Sequence, residues 1–202
     1  TFTCNNACVF CWRDLRYHTE PAMEGGIDDP AEIVEGTIEA QKKLLSGFGG
    51  NEKTTNEKFE RAMKPQHVAI SLDGEPTLYP KLTELISEYK KKNFSTFVVS
   101  NGLLPDIIEK LIEEPPTQLY ISVDAPNEEL FNIIDRPIIK NAWQGLCKTL
   151  SMLPKMRNKM RTVLRFTLIK SMNMVNPGQW AEIIKLSNPM FVEVKAYMWV
   201  GM

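Results

Sequence analysis

Five short runs of β-branched and aromatic residues recur along the chain, each separated from the next by a longer amphipathic stretch. This alternation restricts the fold more than any other feature. The runs cover residues 67–72 (HVAISL), 96–100 (TFVVS), 118–123 (QLYISV), 162–169 (TVLRFTLI) and Phe191–Ala196 (FVEVKA). Near-continuous hydrophobic runs of this length mark parallel strands buried on both faces. Between them the spacing predicts helices over Pro30–Leu45, 80–92, 104–113, 141–153 and 177–186. The first opens on Asp-Asp-Pro, a cap followed by proline in the first turn, and the last is entered through an Asn-Pro step. Each helix falls where a crossover between parallel strands needs one, so the class is α/β.

The cysteine loop at the start of the chain needs a strand before it. That raises the expected count to six, with the first strand barely present or cut away. Six parallel strands form either a partial barrel or an open doubly wound sheet, and periodicity does not choose between them. No repeat, low-complexity tract or Gly/Pro-rich linker divides the chain, so residues 1–202 read as one domain. The lack of an initiator Met points to a fragment of a longer protein. Residues 46–56 (SGFGGNEKTTN) read as a long flexible insertion, a kind of segment that often carries function.

A hydrophobic content of 43% is ample for a single core, and a net charge of −1 means that any nucleic-acid affinity has to come from a local patch. No apolar run reaches the roughly 18 residues of a membrane span. The opening TFTCNNACVFCWR lacks the charged start and apolar stretch of a signal peptide. Four cysteines, three of them between positions 4 and 11, suit a reducing cytosol better than a disulfide scaffold. The expectation is a cytoplasmic, membrane-free monomer.

Cys4, Cys8 and Cys11 place three thiolates in one tight loop, one ligand short of a closed structural site. Cys147, far along the chain on a predicted helix, reads as a small buried hydrophobe. His18 is close enough in sequence to be a zinc ligand, but nothing fixes it there. Three ligands therefore describe a metal centre that binds something else. Residues 71–77 (SLDGEPT) carry a strand out into a loop, where Gly74 permits close backbone approach and Glu75 can pair with a ligand ammonium. The same residues also read as a turn and helix start. Ser100-Asn101 and Ser122-Val123-Asp124 end the next two strands in the same polar way, and strand-end caps are an equal reading. Of Arg165 and Thr167 on the following strand, Thr167 is the one read as facing a barrel interior.

The CX3CX2C spacing resembles the cluster loop of the radical S-adenosylmethionine superfamily. The resemblance implies a 4Fe–4S cluster on Cys4, Cys8 and Cys11, whose fourth iron takes the amino and carboxylate groups of S-adenosylmethionine. One-electron reduction then yields a 5′-deoxyadenosyl radical. It further implies that Phe10 lies near the adenine. Gly74, Glu75, Pro76 and Thr77 would form the motif that holds the methionine amino group. Asn101, Ser122, Asp124 and Thr167 would belong to the cofactor site, with Asp124 at the ribose hydroxyls, since a carboxylate accepts from both.

The words CVFCWR, HVAISLDGEPTLYP, TQLYISVDA, IDRP and FVEVKAYMWVG, from Cys4 to Gly201, resemble the tRNA 4-demethylwyosine synthase family. That likeness implies a partial (β/α)6 TIM-like barrel with its site at the strand C-termini. The implied reaction is lyase chemistry that modifies N1-methylguanosine in phenylalanine tRNA with two carbons of pyruvate. A lysine Schiff base with pyruvate has Lys195, Lys53 and Lys58 as candidates. Arg136 is read either as a phosphate or pyruvate carboxylate contact or as an ion pair with Asp135. Candidate tRNA contacts are Arg13 and Arg16, Lys90 to Lys92, and the KMRNKMR stretch at 155–161, although Lys90 to Lys92 read more readily as a solvated helix face and Met156 and Met160, at i,i+4, can pack inward. The family also implies a second 4Fe–4S cluster on upstream cysteines, expected only in the full-length protein, and a flavodoxin-like electron donor. The alternatives are a radical enzyme with another substrate, such as a glycyl-radical activase, and a non-catalytic iron–sulfur module.

Overall fold

Five parallel strands pair in the order in which they occur along the chain. They are β1 (His67–Ile70), β2 (Ser95–Ser100), β3 (Gln118–Ser122), β4 (Arg161–Leu168) and β5 (Phe191–Ala196). The computed structural model describes residues 2–17 and 19–199, so the candidate ligand His18 and the last family residue, Gly201, lie outside the described residues. A doubly wound sheet reverses its strand order at a switch point, and this sheet does not. With right-handed crossovers, an unreversed order puts every crossover helix on one face of the sheet. The other face is left concave. The result is a partial barrel showing five of the six expected strands among the described residues.

The helices are α1 (Pro30–Leu45), α2 (Asn56–Ala62), α3 (Leu82–Lys91), α4 (Pro105–Lys110), α5 (Glu128–Ile134), α6 (Ala142–Met156) and α7 (Pro177–Ser187). α1 matches its predicted bounds because Asp29 accepts from the Ala31 N–H and Pro30 occupies the first turn. Two short helices, α2 and α5, were not expected from periodicity, yet each has a side-chain cap, from Thr55 and Asn127. Residues 46–56 are not a loose insertion. They form a 3-10 turn over Ser46–Gly50 and a capped entry into α2, with Gly49 against the Phe59 ring.

The expectation of strands buried on both faces holds only for the helix-covered face. Along β2 and β3, Val98, Leu119 and Ile121 are fully buried, whereas Val99, Tyr120 and Ser122 on the concave face are half-buried. The core lies between sheet and helices. It joins Leu85, Ile86 and Tyr89 of α3 and Leu146, Leu150 and Leu153 of α6 to the covered strand face, and Phe166 of β4 packs on Trp180 of α7 at 4.6 Å. β5 is an edge, with Val192, Val194 and the following Met198 and Trp199 exposed. Among the described residues no helix is long and apolar enough to cross a membrane.

α6 approaches the loop after β2 so closely that a Cβ at Gly145 would sit 2.6 Å from the Leu103 carbonyl oxygen. Gly36 on α1 has open space instead. Gly145→Ala is expected to destabilise by about 1–3 kcal/mol through forced backbone shifts. Gly36→Ala should stabilise by about 0.5–1 kcal/mol. Urea unfolding of the two variants measures both, and equal effects would refute the close approach.

Candidate active site

The cysteine loop holds no helix or named strand, so its position depends on hydrogen bonds to neighbouring elements. The Glu75 N–H donates to the Thr3 carbonyl at 2.7 Å, and the Glu20 N–H to the Cys4 carbonyl at 3.0 Å. On the other side Ala7 N–H donates to the Asp135 and Arg136 carbonyls, Val9 N–H to the Ile134 carbonyl, and Ile138 N–H to the Asn5 carbonyl. The loop is thus stitched between the end of β1 and the end of α5. Here the IDRP word does its work through backbone: Arg136 takes a φ of 46° so that its carbonyl meets the loop. Its side chain is exposed and forms no ion pair with Asp135 among the described residues.

Glu75 is the hub of the next layer. Its Oε1 accepts from the Thr77 N–H (3.0 Å), the Thr77 hydroxyl (2.6 Å) and the Ser100 hydroxyl (2.7 Å), while Oε2 accepts from the Asn101 N–H (2.7 Å). Asn101 Nδ2 in turn donates to Asn5 Oδ1 at 2.6 Å. One carboxylate therefore joins the ends of β1 and β2 and, through Asn101, the cysteine loop. Gly74 reaches this position with a φ of 77°, open to glycine at little cost. Burial raises the Glu75 carboxyl above its ordinary value against the opposing pull of these hydrogen bonds.

Asp124 plays the corresponding part between β3 and β4. Its Oδ1 accepts from the Thr167 N–H at 2.9 Å. The fully buried Asn173 donates to the carbonyls of both Asp124 and Thr167 at 2.7 Å, and its own carbonyl accepts from Trp180 Nε1. Nothing in local sequence marks Asn173, which acts across 49 residues.

These groups face one cleft of about 430 Å³ at the C-terminal ends of the strands. Cys4, Cys8 and Phe10 line it from the loop, Gly74 and Glu75 from β1, Asn101 from β2, Ser122 and Asp124 from β3, Thr167 from β4 and Lys195 from β5. Asn6, Trp12, Leu72, Asp135 and Arg165 join them, none assigned to the site from sequence. Cys11 closes the loop without lining the cleft, and Pro76 and Thr77 lie behind it as a buried 3-10 turn. Lys53, Lys58 and Arg136 are not among the lining residues. The segment carrying Lys53 and Lys58 leads into the start of β1, at the end of the sheet opposite the cleft. A larger cavity of about 830 Å³ runs along β1 beside α1 and α3 but gathers none of the predicted site residues.

Burial sets the electrostatics of the cleft. It pushes the Cys4 thiol up to about 11 and Cys8 well above its usual value, with Asp135 and Asp124 adding to the effect on Cys8. Such thiols ionise only when a metal's positive charge reverses the balance. Burial, then the nearby Asp124 carboxylate, holds the Asp135 carboxyl well above the carboxylate range, and Cys8 Sγ lies 3.7 Å from its Oδ1. Burial also pushes Asp124 up to about 6, opposed by Thr167 and Arg165. Asn5 Nδ2, Asn6 Oδ1, Arg13 Nη2 and Asp135 Oδ2 are the buried side-chain atoms without a hydrogen-bond partner among the described residues. All four belong to the cysteine loop or to residues that touch it. Buried polar groups ordinarily find partners, so this concentration marks a place for a ligand.

Lys90 to Lys92 and the 155–161 stretch lead into the starts of β2 and β4, at the end of the sheet opposite the cleft. Lys90, Lys91 and Lys92 each pair with a glutamate, Glu114, Glu88 and Glu35. In the 155–161 stretch Met156 and Met160 are buried, and Arg16 pairs with Asp14.

A sequence model of the Radical SAM superfamily matches residues 1–185. The S-adenosyl-L-methionine-dependent tRNA 4-demethylwyosine synthase of Pyrococcus horikoshii is 44% identical over 200 residues, 98% of this chain and 58% of that protein. The synthase of the same name from Methanocaldococcus jannaschii is 39% identical over 203 residues, 98% of this chain and 63% of that protein. A solved structure of TYW1 with a lysine–pyruvate adduct bound is 39% identical, superposes with a TM-score of 0.84, and is matched over 99% of this chain and 63% of its own. The chain thus spans somewhat under two thirds of the length of these relatives.

The raised Asp124 carboxyl has a consequence for stability. Between the ordinary value of 3.8 and about 6 the unfolded chain ionises this group while the folded protein keeps its proton. Stability therefore falls as pH rises through that window. Asp124→Asn keeps an acceptor for Thr167 and should flatten this segment of the profile of melting temperature against pH. A profile parallel to the parent's between pH 4 and 6 would show that Asp124 is not the group responsible.

Proposed function

Because the chain belongs to the radical S-adenosylmethionine superfamily, we propose that it is the catalytic core of an enzyme that builds 4-demethylwyosine from N1-methylguanosine in phenylalanine tRNA and pyruvate. The observation that carries this reading is the single cleft in which the cysteine loop, two buried strand-end carboxyls and Lys195 converge. The similarity to the 4-demethylwyosine synthases along essentially the whole chain supports the choice of substrate.

The residues fit a 4Fe–4S cluster. Cys4, Cys8 and Cys11 supply three soft ligands on one loop, and among the described residues no three Cys, His, Asp or Glu side chains gather on a single ion. A cluster takes one thiolate per iron, so three cysteines on one loop leave one of its four irons open. When bound, the cluster and S-adenosylmethionine supply a 5′-deoxyadenosyl radical that takes hydrogen from the N-methyl group.

The chain's own residues bind and orient. Glu75 Oε2, with one donor in place, receives the cofactor's ammonium, and the Asp124 carboxyl accepts from the ribose hydroxyls. Phe10 packs at the adenine, and the buried Ser100 and Thr77, with the half-buried Asn101, hold Glu75 in its rotamer. Lys195, opposite Thr167 in the sheet register, offers an amine to the pyruvate ketone, with water as the leaving group. The cleft favours Lys195 over Lys53 and Lys58. Arg165, paired with Glu193 at 3.2 Å, is the other cation in the cleft and suits a carboxylate. The full-length protein would add the second cluster and draw electrons from a flavodoxin-like donor in the cytosol.

The test is anaerobic reconstitution of the full-length protein with dithionite, S-adenosylmethionine, pyruvate and N1-methylguanosine tRNA. The expected products are 5′-deoxyadenosine and the tricyclic base. No 5′-deoxyadenosine would refute the radical reading, and deoxyadenosine without the tricyclic base would refute the substrate. Cys8→Ala should abolish the cluster absorbance. Cys147→Ala should leave it intact, because Cys147 sits on α6 away from the cleft.

A further inference from the structure

Arg13, two residues beyond the last cysteine, is placed where a surface arginine would not be. Its side chain is 9% exposed, whereas Arg16, three residues on, is 73% exposed and paired with Asp14 in solvent. Arg13 Nη1 donates to Asp73 Oδ1 at 3.0 Å and to the Phe2 carbonyl, and the nearby Cys11 side chain is among the groups that raise the guanidinium's pKa against the effect of burial. Nη2 is buried and has no acceptor among the described residues. Asp73 stands in the turn after β1, so this one side chain, two residues beyond Cys11, ties the cysteine loop to the strand end that carries Glu75.

A guanidinium is a planar fork of five donors held at set angles, with a charge that proteins do not remove. Asp73 and the chain occupy one arm. The geometry points to the other arm as a donor to the sulfur of a cluster held by the loop: we propose that Arg13 is a positioning residue that holds Cys11 and sets the cluster's reduction potential. Reduction adds one negative charge to the cluster. A fixed cation and N–H···S hydrogen bonds favour that added electron, and they are among the protein's means of setting such potentials. Asp73 counts in the opposite sense, since its carboxylate partly neutralises the guanidinium.

This inference rests on the reading of Cys4, Cys8 and Cys11 as cluster ligands, and the test separates the two. The full-length protein carrying its cluster is titrated electrochemically under electron paramagnetic resonance. The cluster's signal is identified by its change on adding S-adenosylmethionine. Arg13→Gln should lower the ratio of reduced to oxidised cluster at a set potential by about tenfold, equivalent to about 59 mV for one electron. Arg13→Lys, which keeps the charge without the fork, should fall between, Asp73→Asn should move the potential upward, and Arg16→Gln should leave it in place. Arg13→Gln with full iron content and the parental potential overturns the proposal. So does a downward shift in Asp73→Asn, which a merely structural role of the pair would produce. Should Arg13→Gln lose its cluster, the direction of the Asp73→Asn shift decides. A parent protein that binds no cluster refutes the underlying reading instead.

Discussion

The structure depends on a buried carboxylate that closes the top of the sheet. Parallel strands end with polar backbone groups pointing into the same space, and the cysteine loop brings more of them without regular structure to satisfy them. Glu75 resolves this by accepting from the ends of β1 and β2 at once, while Asn101 extends the connection to Asn5 in the loop. Asp124 and Asn173 do the same between β3 and β4. The loop is held in place by a few short hydrogen bonds in a poorly solvated site, where each is worth more than in water.

The same burial gives the cleft its character. Three carboxyls and two thiols are all raised by desolvation, so a nearby positive charge would favour their ionised forms. Arg165 and Lys195 stand on the other side, on the adjacent strands β4 and β5, with Arg165 paired to Glu193.

Much of this was legible in the chain. The strands, the caps of α1 and α7 and the cysteine spacing are local patterns, since each depends on residues within a few positions of one another. The shorter helices were passed over because seven residues do not complete two turns of a periodic face, although Asn127 followed by Glu128 and Glu129 was a readable start signal. The Lys90 to Lys92 run reads from sequence as a solvated helix face more than as a tRNA contact, and its glutamate partners come from three separate segments. Charge runs do not disclose their counterions.

By itself the sequence determined that the chain would form parallel βα units and carry three thiols in one loop beside a glycine–glutamate strand end. Hydrophobic period, turn chemistry and ligand spacing are short-range properties, so the linear text contains them. Only the tertiary structure decided that the sheet runs without reversal, that Lys195 and not Lys53 or Lys58 meets the cleft, and that Asp135, Asn173 and Arg13 enclose the site. Asp135, Asn173 and Arg13 lie 127, 49 and 60 positions from Cys8, Asp124 and Asp73, the groups they meet. Their meeting is a product of how helices and sheet bury a common core, and no local spacing encodes it.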